Sequence, residues 1–371
     1  MRLLAMILVG LFVSTHTPVG ASLTRTVPRD VGWTQLSAPP GPLGDVRVWL
    51  GDRFLVWGRS SASAPGLTAG ARRRVRADVL VFGRAARWLR ASPGPLEARS
   101  LAVSAWTGSR VLIWGGFGGS GVPVASGAVY DPRADRWAML PRSPLSARAP
   151  VASVWTGREL VVWGSTDRSE HRRDGAAYDP ATRSWRRIAD APRSLDQATS
   201  LWTGHEMLVL GAHLDDANNG DTKTAVALAY NPTSDTWRVL PRTDLVPQAT
   251  TIAWTGRIAV AFDYTLTARA YDPQSNRWRP LPGLPIAPGE CYPTSVPVSG
   301  QIVGWYCGRG AVFNPMTNRW THLDPPAATA GLDEPVSTGT SALFPGGVDQ
   351  SSQPELWAWR VANATPSRGS R

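Results

Sequence analysis

"GAAYDPATRSW", residues 175–185, sets a small residue and an aromatic before Asp-Pro, then a short polar run, then a tryptophan six residues after the aspartate. The residues before Asp179 alternate small and aromatic, as in a short strand with one packed face. Asp179-Pro180 suits the first two positions of a type I turn, because proline pre-sets φ and the aspartate can accept a backbone N–H further on. Trp185 then opens a second strand. The unit is a hairpin with a large apolar anchor.

The hairpin recurs. "GAVYDPRADRW" ends at Trp137, "ALAYNPTSDTW" at Trp237, "ARAYDPQSNRW" at Trp278 and "GAVFNPMTNRW" at Trp320. A second hairpin lies upstream in "SAWTGSRVLIWGG", "SVWTGRELVVWG", "SLWTGHEMLVLG" and "IAWTGRIAVAF". Each has a strand, a Thr-Gly reversal (Gly108, Gly157, Gly204, Gly256) and an apolar strand. Glycine admits the positive φ of a tight reversal. Two hairpins make four strands per unit. Anchors at Trp88, Trp137, Trp185, Trp237, Trp278 and Trp320 repeat at roughly 50 residues.

This order of strand, Thr-Gly, apolar strand ending in glycine, loop, Tyr-Asp-Pro, Trp and Leu-Pro resembles the kelch repeat of galactose-oxidase-type propellers and kelch-like exported bacterial proteins. The likeness runs from about Trp33 to Arg360 and implies an all-β propeller. The double glycine closing the second strand survives only at Gly115-Gly116 and Gly346-Gly347. Second and third strands pair as "FLVWG"/"DVLVFG", "VLIWGG"/"GAVYDP", "LVVWG"/"GAAYDP", "MLVLG"/"ALAYNP", "IAVAF"/"ARAYDP", "IVGWYC"/"GAVFNP" and "SALFPGG"/"ELWAWR". The count predicts seven blades, with six as the alternative. The last unit lacks an outer strand, and Trp33 lacks a preceding Tyr-Asp-Pro. The N-terminal segment is therefore expected to supply that strand and close the ring, hiding sheet edges.

Residues 1–21 have a basic start (Arg2), an apolar run from Leu3 to Val13 and a small-residue site at Val19-Gly20-Ala21. They read as a secretory signal peptide, too short for a comfortable membrane span. Residues 22–361 form the expected propeller and residues 362–371 a polar tail. A secreted or periplasmic location follows. The two cysteines, Cys291 and Cys307, flank a hairpin turning at Ser299-Gly300. Counting outward sets them side by side, which predicts a disulfide in an oxidising compartment.

The net charge is +11, almost all of it from arginine, with Lys223 the single lysine. Many arginines adjoin the repeat tryptophans (Arg136, Arg186, Arg187, Arg238, Arg277, Arg279, Arg319), so the charge is expected to be spread round the rim. With export, this argues against a nucleic-acid partner.

No Gly-x-Ser-x-Gly, His-Glu-x-x-His, Walker or dinucleotide motif occurs. A copper-oxidase centre needs tyrosines, histidines and a cysteine-modified tyrosine. Here His205 and His322 belong on turns and outer strands, and only His171 and His213 fall in loops between second and third strands, so no cofactor is expected. The acidic run from His213 to Lys223 fails the calcium-loop pattern at Ala217 and Val226.

Binding residues are therefore sought where blades differ. The loops between second and third strands are long and dissimilar in the first four blades: Arg59–Ala77, Phe117–Ser126, Ser165–Asp174 and Ala212–Thr224. Arg99, Arg148, Gln197, Gln248 and Glu290 recur just before the innermost strands and are expected to line the channel mouth. Arg72, Arg73, Arg74, His171, Arg172 and Arg173 join them. Such a set suits an acidic or hydroxyl-rich glycan. A non-enzymatic binding propeller for a protein or glycan is the leading reading. A carbohydrate-active enzyme, such as a sugar mutarotase or epimerase, is the alternative, since kelch-type propellers include both.

Overall fold

The computed structural model describes residues 32–40, 43–58, 79–82, 87–166, 172–213, 225–247, 249–287, 289, 291–327, 331–346 and 354–361. The expected signal peptide (1–21) and the expected polar tail (362–371) lie outside them. The described residues form a β-propeller of seven four-stranded antiparallel sheets. The third blade is representative, with Ala152–Trp155, Leu160–Trp163, Gly175–Asp179 and Ser184–Ile188 running in order from centre to rim.

The inner strands are Val46–Trp49, Val103–Trp106, Ala152–Trp155, Leu195–Trp202, Thr250–Trp254, Thr294–Val298 and Val336–Ser337. Each touches the inner strands of the two neighbouring blades, and the first touches the last. The final sheet is completed from the other end of the chain. Gly32–Gln35 pairs antiparallel with Glu355–Arg360, Trp33 opposite Trp359. Gly32–Gln35 is the outermost strand of this sheet, the position the last strand of each other blade holds.

The local chemistry explains the turns. Thr156 N–H donates to Glu159 O at 3.0 Å, and the Thr156 hydroxyl accepts Glu159 N–H at 2.9 Å. Gly157 between them has φ of 92°, a conformation that costs glycine little. At the other hairpin, Asp179 Oδ1 accepts Ala181 N–H at 2.7 Å. Asp131, Asn231, Asp272 and Asn314 do the same for Arg133, Thr233, Gln274 and Met316. The fourth residue after each Asp or Asn is left-handed: Asp135, Arg183, Asp235, Asn276 and Asn318. Asp and Asn tolerate that region better than most residues.

Each repeat tryptophan is half-buried between two blades. Trp185 packs on Tyr178 of its own blade (ring centroids 5.1 Å apart) and on Trp114 of the preceding one (5.6 Å). Its indole N–H donates to Pro141 O, at the end of the preceding outer strand, at 3.1 Å. Trp137, Trp237 and Trp278 repeat this with Ser92, Ala189 and Pro241. The core consists of clusters between successive sheets; one joins Val154, Trp163 and Ile188 of the third blade to Trp202, Met207 and Tyr230 of the fourth.

The cysteines form the expected disulfide, Cys291–Cys307. They sit just past the ends of Thr294–Val298 and Gln301–Tyr306, whose last pair is Thr294 with Trp305. The bridge fits an extracellular or periplasmic setting. Among the described residues no helix is long and apolar enough to cross a membrane.

Candidate functional site

The two faces of the ring differ. Thr-Gly and Asp-Pro turns share one face, and their side chains are spent on one another. Arg186 forms two hydrogen bonds with Glu159 (2.8 and 3.1 Å) and approaches Asp235 of the next blade at 3.6 Å. Tyr230 O–H donates to Asp235 at 2.6 Å. One blade on, Arg238 bonds Glu206 at 2.7 and 3.0 Å and donates to Asn276 at 3.1 Å, while Tyr271 O–H donates to Asn276 at 2.7 Å. Arg279 donates to Asn318 at 2.9 Å. Glu159 and Glu206 raise the basicity of Arg186 and Arg238, against the cost of burial. These rim arginines are inter-blade clamps rather than dispersed, solvated charge.

The opposite face carries the connections into the inner strands. Arg148 is 1% exposed and bidentate to Asp174, with Nη–Oδ distances of 2.7 and 3.0 Å. Its Nε and Nη2 also donate to Ser146. Burial raises the Asp174 carboxyl, but hydrogen bonds from Arg148, its charge and that of Arg172 outweigh this and hold it below the usual carboxylate range. Arg99 is 5% exposed and donates to Gly115 O, Ser126 O and Ser126 Oγ. Burial lowers its basicity, against the opposing pull of Glu97. Both arginines were expected to face a ligand. Both are instead set into the wall, where they satisfy backbone and carboxylate groups at the bases of the Phe117–Ser126 and Ser165–Asp174 loops.

Gln197 sits at a bulge in the fourth inner strand, where the register shifts between Asp196 and Thr199. Its backbone is left-handed (φ 46°), and its side-chain Oε1 is buried without a hydrogen-bond partner. Arg172 is half-buried and Arg173 exposed. The Arg173 carbonyl accepts the Trp163 indole N–H at 2.8 Å. Arg72, Arg73, Arg74, His171, Gln248 and Glu290 lie outside the described residues.

Between inner strands runs a set of small hydroxyls. Ser200 Oγ donates to Ser153 O at 3.1 Å and accepts Ser153 N–H at 3.2 Å. Thr251 and Ser295 hydroxyls meet at 2.8 Å. The corresponding stretch of the first blade carries Arg47. Arg47 Nη1 contacts Asp333 Oδ2, just before the last inner strand, at 2.7 Å. Beside this pair is Glu334, partly buried. Burial above all, with the charges of Asp333 and Asp45 and against that of Arg47, pushes its carboxyl up to about 7. Sequence reading missed this group because its members come from opposite ends of the repeat array. Among the described residues, no group of three His, Cys, Asp or Glu side chains is placed to hold a metal ion.

No protein-family model matches the chain, and no curated protein matches it.

Proposed function

We propose that the chain is an exported kelch-type propeller that acts as a non-enzymatic binding scaffold through its long-loop face, with hydroxyl-rich or acidic glycans as ligands. The contrast between the two faces supports this reading. On the Thr-Gly face Arg186 and Arg238 are each held by a glutamate of their own blade, Glu159 and Glu206, and reach the next blade at Asp235 and Asn276. The opposite face joins a rigid ring to loops of unequal length and presents Gln197 at the entry to an inner strand. Rigid scaffolds commonly bind through such loops. Kelch character rests on the order of motifs within each repeat. The test is a glycan array probed with the mature full-length chain, followed by Arg173→Ala on the long-loop face and Arg136→Ala on the rim, both exposed. Selective weakening by Arg173→Ala supports the reading; no glycan binding by the parent, or equal weakening by both, overturns it.

A second reading, a sugar mutarotase or epimerase, draws on Glu334. A carboxyl that titrates near neutrality beside Asp333, Asp45 and Arg47 has the character of a general acid or base. Its test is the rate of anomer interconversion for free sugars with the parent and Glu334→Gln. A parent rate no faster than buffer removes it.

A further inference from the structure

Tyr264 and Tyr292 are the two exposed aromatic side chains among the described residues, 41% and 49% accessible. They lie on the long-loop face, on its low side: Tyr264 follows the second strand of the fifth blade, and Tyr292 precedes the inner strand of the sixth. The loops there are short, only residues 264–267 and 307–308.

Both rings leave backbone that is held still. Asp263 is fully buried, and its carboxylate accepts N–H from Val246, Thr265 and Thr267 and the Thr265 hydroxyl. That fixes the turn carrying Tyr264. On the other side, Cys291 is bonded to Cys307, one residue before Tyr292. A single hydroxyl ties the two segments together. Tyr306 Oη lies 3.1 Å from Tyr264 O, also contacts Gly289 O, and accepts Gly289 N–H at 3.2 Å. The chain closes so tightly here that a Cβ on Gly289 would lie 2.7 Å from Cys307 Sγ. The two tyrosines therefore project from segments anchored on consecutive residues, Tyr306 and Cys307.

We infer that Tyr264 and Tyr292 form a preorganised aromatic shelf that stacks against the apolar face of pyranose rings in a neutral oligosaccharide. A tyrosine ring offers an apolar face and a hydroxyl together, which matches a sugar's C–H face and its equatorial hydroxyls. Fixed backbone reduces the ordering cost of binding. Arg309 pairs with Tyr306 across the next hairpin, so its side chain emerges on the same side of the sheet as Tyr306 and is exposed. It supplies hydrogen-bond donors beside the shelf. Two rings offer far too little area for a stable protein interface, which needs on the order of 1,200 Å², but they suffice for one or two sugar units.

This inference rests on reading the long-loop face as the binding face. Its test is titration of the mature chain with cellotetraose, chitotetraose and maltotetraose, followed by tryptophan fluorescence and calorimetry. Saturable binding of at least one is expected, weakened about tenfold by Tyr264→Ala and by Tyr292→Ala. The double variant Tyr264→Phe/Tyr292→Phe keeps the ring faces, and its affinity is expected within about threefold of the parent. Melting temperatures of all variants are expected to match the parent, since both rings are exposed. No saturable binding of any of the three up to about 10 mM, or alanine variants that bind like the parent, overturns the shelf. Binding of acidic glycans alone also overturns it, while leaving the face assignment intact.

Discussion

The indole N–H of Trp33 donates to the main-chain carbonyl of Asp324 at 2.7 Å, across 291 residues of sequence. Asp324 follows the outer strand of the sixth blade, Arg319–Leu323. Trp33 belongs to the outer strand of the last blade, so the bond is the same inter-blade stitch that Trp137 makes to Ser92. Trp88 makes it to Ser37, and the stitching passes through the closure. Trp320 breaks the pattern: its indole N–H is buried with no partner. The two positions therefore predict different costs for one substitution. Trp33→Phe loses ring volume and a hydrogen bond, whereas Trp320→Phe loses ring volume and relieves an unpaired donor. A net hydrogen bond contributes about 1 kcal/mol, so Trp33→Phe should be the more destabilising by about 1–2 kcal/mol in chemical denaturation. Equal costs refute the stitch.

Removing residues 22–40 takes away the whole closing strand. It exposes the edge of Glu355–Arg360 and unpairs four residues of that strand from Gly32–Gln35. The truncated chain should melt earlier and aggregate through the open edge. A truncated protein with the parent's melting curve and a monodisperse size would contradict closure by the first strand.

Trp237→Ala should cost about 3 kcal/mol. The ring is packed between Tyr230 at 5.0 Å and Trp163 at 5.2 Å, and its N–H holds Ala189 O at 2.8 Å. It is half-buried, which sets the value at the low end for emptying an aromatic site. Equilibrium unfolding measures it, and a loss below about 1 kcal/mol would mean the tryptophan is not a seam residue.

Arg148→Ala should cost about 3 kcal/mol, because it leaves Asp174 without its bidentate partner. Arg238→Ala, on a clamp whose arginine side chain is 38% exposed, should cost about 1 kcal/mol or less. The pH dependence separates the roles further. Asp174 is held below its unfolded value in the folded chain, so its contribution is complete above the unfolded pKa near 3.8. It is lost as pH falls below that through the folded value. The gap between parent and Arg148→Ala should thus narrow on acidification. A gap that stays constant down to acid unfolding denies the Arg148–Asp174 pair its role.

How much of this was legible follows from how far apart the partners lie. The Tyr-Asp-Pro-to-Trp hairpin and the Thr-Gly reversal are local, and their spacing carries them. The pairing of Cys291 with Cys307 follows by counting outward from Ser299-Gly300. The left-handed residue four positions after each Asp-Pro aspartate also left a signal. Asp135, Asp235 and Asn276 recur there, and each accepts its blade's tyrosine hydroxyl. Contacts between different units left none. Arg148 recurs in register with Arg99, which suggested a shared outward role, but Asp174 reaches it from a loop 26 residues on. Arg47 and Asp333, 286 residues apart, meet only because the ring closes.

That closure gives Glu334 its pH dependence. The carboxyl lies where the first and last inner strands meet, facing Asp333, Asp45 and Arg47, and its folded pKa is pushed from 4.5 up to about 7. Between those two values the folded chain holds more of this proton than the unfolded chain does. Stability from this group therefore falls as pH rises from about 4.5 to about 7, and is flat on either side. The full shift corresponds to about 3 kcal/mol, and partial exposure reduces the expectation to about 1–2 kcal/mol. Glu334→Gln keeps the shape and removes the charge. It should melt like the parent near pH 4.5, and above it by about 1–3 °C near pH 8.5. The carboxylates held low elsewhere, Asp131 and Asp135 among them, titrate alike in both proteins and cancel in the difference. A melting difference that is the same at both pH values would show that the Glu334 proton is not bound more tightly in the folded ring.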